Sequence, residues 1–155
     1  MKTTMLSTEI LSSSSIEIHY VRPLFETMLY ITQAHDVVQA VKRISNNKQL
    51  DFKEFFWLLL LNHANRVLSI VQISSGTIHC VPVNIREIIQ LALLKNASAI
   101  IVMHNHPSGS LSFSASDVEL TKRLQKMCKL FEINLLDHIV MSSEDYHSMA
   151  QKGLI

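Results

Sequence analysis

Apolar positions along this chain change spacing several times, and each change marks an element. Residues 1–15, with Ser12 to Ser15, carry no periodic apolar pattern and are expected to form a mobile N-terminal tail. "IEIHYVR" (16–22) alternates apolar and polar residues as a half-buried strand does. In "AHDVVQAVKRIS", Val37, Val38, Val41 and Ile44 fall at helical spacing, with Asp36 as a candidate N-cap, and "NNKQLD" reads as a turn. Residues 52–61, ending in "FFWLLLL", predict a central strand buried on both faces. "NHAN" turns that strand into "RVLSIVQIS", giving a hairpin. After Ser75-Gly76 comes the short strand "TIHCVPV", whose Pro82 points to an edge or a strand end.

"NIREIIQLALLKN" is amphipathic at helical period, with Asn84 as N-cap and Glu87 three residues on, a capping-box-like start. "SAIIVMH" predicts a short apolar strand leading to His104, followed by a tight loop at Pro107, Ser108 and Gly109. "SASDVELTKRLQKMCKLFE" predicts the next helix, with Val118, Leu120, Leu124, Met127 and Leu130 on its buried side. "INLLDHIVMS" is another strand, and "YHSMAQKGLI" adds a last short strand and turn. Without regular βαβ repetition, these elements predict one α+β (mixed α/β) domain over residues 16–155, built on a mixed central sheet.

Composition narrows the class. With 155 residues, 48% hydrophobic and 17% charged, the chain can bury a core without disulfides or a structural metal. A formal charge of +1 offers no argument for a nucleic-acid or membrane partner. Cys80 and Cys128 match no paired spacing, which favours reduced thiols and a cytoplasmic location. The N-terminus lacks the continuous apolar core of a signal peptide, and the seven-residue run Phe55–Leu61 is a third of the about 20 residues a spanning helix needs.

The polar residues concentrate in "MHNHPSGSLSFSASD", Met103 to Asp117. His104 and His106, one residue apart in an extended segment, project to the same side, so both rings can reach one ion. Asp117, at the start of the following helix, becomes a third ligand if the loop folds back. Two histidines and a carboxylate leave a fourth tetrahedral position for water, the pattern of a catalytic zinc site. A plainer reading stands beside this one: a His pair at a strand end can be a solvated loop, and Ser114-x-x-Asp117 alone is a helix start, with Ser114 as N-cap and Asp117 favoured by the helix dipole.

The run His104-x-His106, seven residues, Ser114, two residues, Asp117 resembles the JAMM motif of the JAB/MPN metalloproteases. "HNHPSG" with "SASDVELTKRL", together with "NIREIIQLALLKNASAIIVMHNHPSG", "LLDHIV" and "AQKGLI", resembles the bacterial RadC branch, over roughly residues 16–155. The resemblance implies a JAB/MPN (cytidine-deaminase-like) fold with a central mixed sheet flanked by helices. It implies one zinc per chain on His104, His106 and Asp117, with Ser114 helping to hold an oxyanion. It further implies a glutamate, not a ligand, that acts as general base on water from an early strand, and Glu54 in "KEFFWLLLL" matches that position. Glu87 is accounted for as part of a cap, and Glu119 points about 200° from Asp117 on a helix of about 100° per residue; an exposed charge beside Lys53 is the plainer account of Glu54.

What the resemblance implies is zinc-dependent hydrolysis of a peptide or isopeptide bond in a protein or peptide substrate. The alternative is a non-catalytic DNA-repair or mobile-element accessory protein whose metal is structural. Two features depart from the branch. The loop reads "SLSFSAS", with Leu111 and Phe113 where prolines and charge are common, and 155 residues leave no room for the N-terminal helix-hairpin-helix region that members carry. No aromatic-basic platform supports nucleic acid as a partner. Lys122, Arg123, Lys126 and Lys129 form a basic stripe that reads as a solvated helix face, with an anionic partner as the other reading.

His19, His35, His63, His79, His138 and His147 show no ligand spacing, and Asp137 and His138, adjacent in a strand, are expected to face opposite ways. Trp57 is expected in the core. No membrane association is expected, and the hairpin edges with apolar surface would support a homodimer.

Overall fold

A computed structural model describes residues 20–76 and 83–155. The mobile tail expected at 1–15, Ile16–His19 of the first expected strand, and 77–82 of the strand expected around Pro82 lie outside the described residues. Tyr20, Val21 and Arg22 are exposed and belong to no strand, so the alternating pattern there does not extend into a ladder.

Helix α1 (Ala34–Ile44) leads to β1 (Phe55–Leu61) and β2 (Val67–Ser75). Then follow α2 (Ile85–Leu94), β3 (Ala99–Asn105), α3 (Ala115–Leu130), β4 (Asn134–Met141) and β5 (Tyr146–Ser148). The strands form one mixed sheet in the order β2-β1-β3-β4-β5. The expected hairpin is present: β1 and β2 pair antiparallel, and Asn62 Oδ1 holds the turn by accepting from the Ala64 and Arg66 amides at 2.9 and 3.0 Å. β3 pairs antiparallel with β1 and parallel with β4, the parallel pair being joined through α3. The molecule is thus α+β, as predicted.

The run Phe55–Leu61 is buried at every position because the sheet is covered on both sides. Phe55, Trp57, Leu59 and Leu61 meet Val37, Val38 and Val41 of α1; Phe56, Leu58 and Leu60 meet Ile88 and Ala92 of α2 and Leu124 and Cys128 of α3. Strand alternation thereby divides one apolar run between two cores. Each fully buried leucine contributes about 1.5–3 kcal/mol of apolar burial. No helix among the described residues is long and apolar enough to cross a membrane.

Several local expectations are corrected. The central strand begins at Phe55 rather than Phe52, because the Phe52 and Lys53 amides bond back to the Gln49 carbonyl and close a turn that leaves Phe52 exposed. Asp36 is not an N-cap. It stands three residues into the helix start, where Oδ2 accepts from the Thr32 amide and hydroxyl and from the Gln33 amide. Those bonds, led by Thr32, hold its carboxyl below the usual value of 3.8. Asn84 does cap α2, accepting from the Arg86 amide at 3.1 Å, without the return bond from Glu87 that a capping box requires.

On α3 the buried stripe is Thr121, Leu124 and Cys128, flanked by Leu120 and Met127, whereas Leu130 is 70% exposed. Leu130 lies six residues from Leu124, some 240° around the helix at about 100° per residue. Ile44, the last residue of α1, is likewise exposed where the chain leaves the helix.

Candidate metal centre

The centre lies where β3 ends. Antiparallel pairing sets Phe56 opposite His104, so Glu54, two residues earlier, arrives beside His106 on the same sheet face. Asn105, between the histidines, faces the other way and is fully buried. Its Oδ1 accepts from the Phe55 amide at 2.8 Å, and its Nδ2 donates to the Leu50 and Lys53 carbonyls at 2.7 and 3.0 Å. One amide side chain therefore fastens the segment that carries Glu54 to the strand that carries the histidines.

Past β3 the His106 amide donates to the Met141 carbonyl at 2.9 Å, and the chain turns at Gly109, whose φ of +79° favours glycine. The His147 ring Nδ1 lies 3.0 Å from the Leu111 carbonyl and ties the loop down. Ser114 then caps α3. Its Oγ accepts from the Asp117 amide at 3.1 Å and donates to Asp117 Oδ2 at 2.7 Å, while the Ser114 amide also donates to Oδ2 at 2.7 Å. This reciprocal box fixes the Asp117 carboxylate with Oδ1 directed at His104.

His104 Nε2 stands 3.0 Å from His106 Nε2, 3.4 Å from Asp117 Oδ1 and 4.0 Å from Glu54 Oε1; Asp117 Oδ2 is 3.8 Å from His106 Nε2. Glu54, His104 and His106 each offer a ligand atom within 4.8 Å of the other two, and these three could hold a metal ion. Hydrogen bonding decides what the histidines present. His106 Nδ1 is 2.8 Å from the Ser110 carbonyl, which can only accept, so Nδ1 carries the proton and Nε2 a lone pair. On His104, Nδ1 is 2.9 Å from His138 Nε2, leaving Nε2 for the centre. Two imidazole nitrogens and two carboxylates thus converge, a donor set that fits a divalent cation. Ligand atoms on a tetrahedral zinc, each about 2.0–2.1 Å from it, stand about 3.3–3.4 Å apart. The His104–Asp117 separation of 3.4 Å matches that edge, the His104–His106 separation of 3.0 Å is shorter and the His106–Asp117 separation of 3.8 Å longer.

Electrostatics sort the two acids. Burial pushes the Glu54 carboxyl upward and also favours a neutral Asp117, but at Asp117 the hydrogen bond and charge of a protonated His104, the form of the metal-free site, join the Ser114 bonds to outweigh burial and hold the carboxyl far below its usual range. Burial and the nearby His104 push His138 down to about 3, so it is a neutral imidazole at ordinary pH. A cleft of about 660 Å³ opens over the centre, with Phe56, Val83, Phe113 and Leu120 as its apolar wall.

His104, His106, Asp117, Ser114 and Glu54 are therefore all brought together. Asp137 and His138 do face opposite ways: Asp137 bonds the Ser148 hydroxyl and the Ala150 amide, and His138 turns toward His104. Asn105 and Thr121 escape the sequence reading, and His138 and His147, read from sequence only as histidines without ligand spacing, lie against His104 and the loop after it. The available signal was a buried "DH" pair in an otherwise apolar strand and an amide between two candidate ligands.

A family model described as "RadC-like JAB domain" matches residues 31–154. A UPF0758 protein of Finegoldia magna is 50% identical over 101 residues, covering 65% of this chain and 45% of that protein. A UPF0758 protein of Coprothermobacter proteolyticus is 39% identical over 126 residues, covering 81% of this chain and 54% of that protein. One of Pasteurella multocida is 36% identical over 136 residues, covering 81% and 59%. The chain spans about half the length of these curated relatives. On the extent of these matches, the chain belongs to the RadC-like JAB domain family.

Proposed function

We propose that this domain is a zinc-dependent hydrolase of JAMM type that cuts a peptide or isopeptide bond in a protein or peptide substrate. The observation that carries the reading is the clustering of His104 and His106 Nε2, 3.0 Å apart, against the Asp117 carboxylate, with Oδ1 3.4 Å from His104 and Oδ2 3.8 Å from His106, and with Glu54 Oε1 4.0 Å from His104. His104, His106 and Asp117 would hold one zinc, and bound zinc would supply an acidified water and a polarised carbonyl.

The chain's own residues account for the remaining tasks. Glu54, whose carboxyl is raised by burial, takes up a proton and returns it to the leaving nitrogen. Ser114 borders the cleft, and turning its hydroxyl from Asp117 toward a substrate carbonyl would give an oxyanion donor. The apolar wall excludes water and receives apolar side chains flanking the cut bond. A cytoplasmic setting accords with Cys128, a free, buried thiol pushed up to about 11 by burial.

The test is turnover of peptide and isopeptide libraries by zinc-loaded protein and by Glu54→Gln. Hydrolysis that falls by about 10²–10⁴-fold in the variant supports the reading. Zinc-loaded protein inert toward every library, with salt-dependent DNA binding that survives Glu54→Gln, would favour the accessory role with a structural metal.

A further inference from the structure

Behind the metal centre lies a buried chain of polar groups that the proposed reaction does not use. Thr121 Oγ1 is 2.6 Å from the Asp117 carbonyl and 2.6 Å from His138 Nδ1, and His138 Nε2 is 2.9 Å from His104 Nδ1. Thr121 and His138 are 2% and 0% exposed, and the His138 ring meets Phe56 edge-on. Sheet and helix both contribute: His138 projects from β4, and Thr121 reaches back one turn along α3 to the carbonyl of Asp117.

We infer that Thr121 and His138 are positioning residues that lock His104 into the tautomer presenting its Nε2 lone pair to the metal. The inference rests on the reading of His104 as a ligand. Its direction follows from one asymmetry. A carbonyl can only accept, and the Asp117 carbonyl at 2.6 Å is a stronger and nearer acceptor than the Met149 sulfur at 3.4 Å, so the single Thr121 hydroxyl proton goes to Asp117, and Thr121 can then only accept from His138. His138 Nδ1 must carry the proton. An imidazole that carries its one proton on Nδ1 presents an acceptor at Nε2, and His104 Nδ1 then donates to it across 2.9 Å. The remaining nitrogen of His104, Nε2, is left with its lone pair toward His106, Asp117 and Glu54. Reversing any bond would point a proton into the centre instead. The same helix carbonyl that anchors the relay belongs to Asp117, so ligand orientation on α3 and tautomer choice on β3 are set by one residue's two ends.

The test uses the full chain, metal-free and zinc-loaded. NMR of ¹⁵N-histidine-labelled wild type reads the tautomers, and competition with a chromophoric chelator reads zinc affinity for wild type, Thr121→Val and Thr121→Ser. Wild type should carry the His138 proton on Nδ1 in both states. Thr121→Val, close to isosteric but without the oxygen, should move that proton to Nε2 and weaken zinc by about 10–100-fold, the range for losing a partner behind a ligand. Thr121→Ser should restore the wild-type tautomer and affinity to within about threefold. A proton on His138 Nε2 in wild type would overturn the relay, as would a folded Thr121→Val with unchanged zinc affinity. Should Thr121→Val not fold, the wild-type tautomer still decides. Failure of wild type to bind zinc would sink the hydrolase reading, whereas the metal-free tautomer would still decide the relay.

Discussion

Asn105 Oδ1 accepts the Phe55 amide proton at 2.8 Å, across fifty residues of sequence, and this bond fixes where Glu54 stands relative to the two histidines. Replacing Asn105 by Ala leaves the Phe55 amide and the Leu50 and Lys53 carbonyls without their partner. Each unsatisfied buried group costs about 1–3 kcal/mol. Asn105→Ala is expected to lose about 2–4 kcal/mol in urea unfolding, allowing partial rescue by water, while zinc content stays near wild type because no ligand is touched. Unchanged stability would mean that the clasp is not closed in solution.

Ser114 serves both as a helix cap and as the holder of Asp117. Ser114→Ala should cost about 1 kcal/mol of stability from the cap. It should also weaken zinc binding by about 10-fold or more because Asp117 loses its orienting hydroxyl. Ser114→Gly, which spares most of the cap energy, should show the zinc effect with little loss of stability. A chelator competition showing wild-type affinity in both variants would remove Ser114 from the centre.

Asp36 offers a pH signature far from the site. Its folded carboxyl lies below 3.8, so its stabilising contribution is present above that value and is lost as pH falls through the depressed folded value. Asp36→Asn should therefore be less stable than wild type near neutrality, and the gap should close on acidification below about pH 4. Thermal melts of both proteins from pH 7 to pH 2 check this, and a gap that widens toward acid would contradict it.

Leu124 and Leu130 share a helix and a residue type but not a surroundings. Leu124→Ala opens a cavity under α3 and should cost about 2–5 kcal/mol, whereas Leu130→Ala, at 70% exposure, should stay within about 0.5 kcal/mol. Chemical denaturation of the pair tests the placement of α3 on the sheet. Equal losses would mean that the helix is rotated.

The legible parts of this molecule were those encoded by local pattern. A seven-residue apolar run, too short for an ordinary helix and rich in aromatics at its start, reads as a strand between two layers, and His104-x-His106 in extended backbone must place both rings on one side. The Ser114 cap and Asp117 follow from spacing alone. What escaped was fixed by contacts distant in sequence. Nothing within a few residues of His138 indicates that β4 runs parallel to β3, thirty-four residues away, and brings that ring behind His104. Asn105 could be seen as an odd buried amide, but its partners became visible only with the turn at Gln49–Lys53 in place. Asp36 shows the limit of local signals: an acid near a helix start is favoured both as a cap and a turn later, and Thr32 decided between them.

The most direct test of the central claim is elemental analysis of metal after zinc loading and exhaustive dialysis, comparing wild type with His104→Ala, His106→Ala and Asp117→Ala. About one zinc per wild-type chain, absent from all three folded variants and retained by Glu54→Gln, is the expected result. Zinc retained by Asp117→Ala but lost from Glu54→Gln would exchange the roles of the two acids, and wild-type protein that holds none would contradict the metal centre itself.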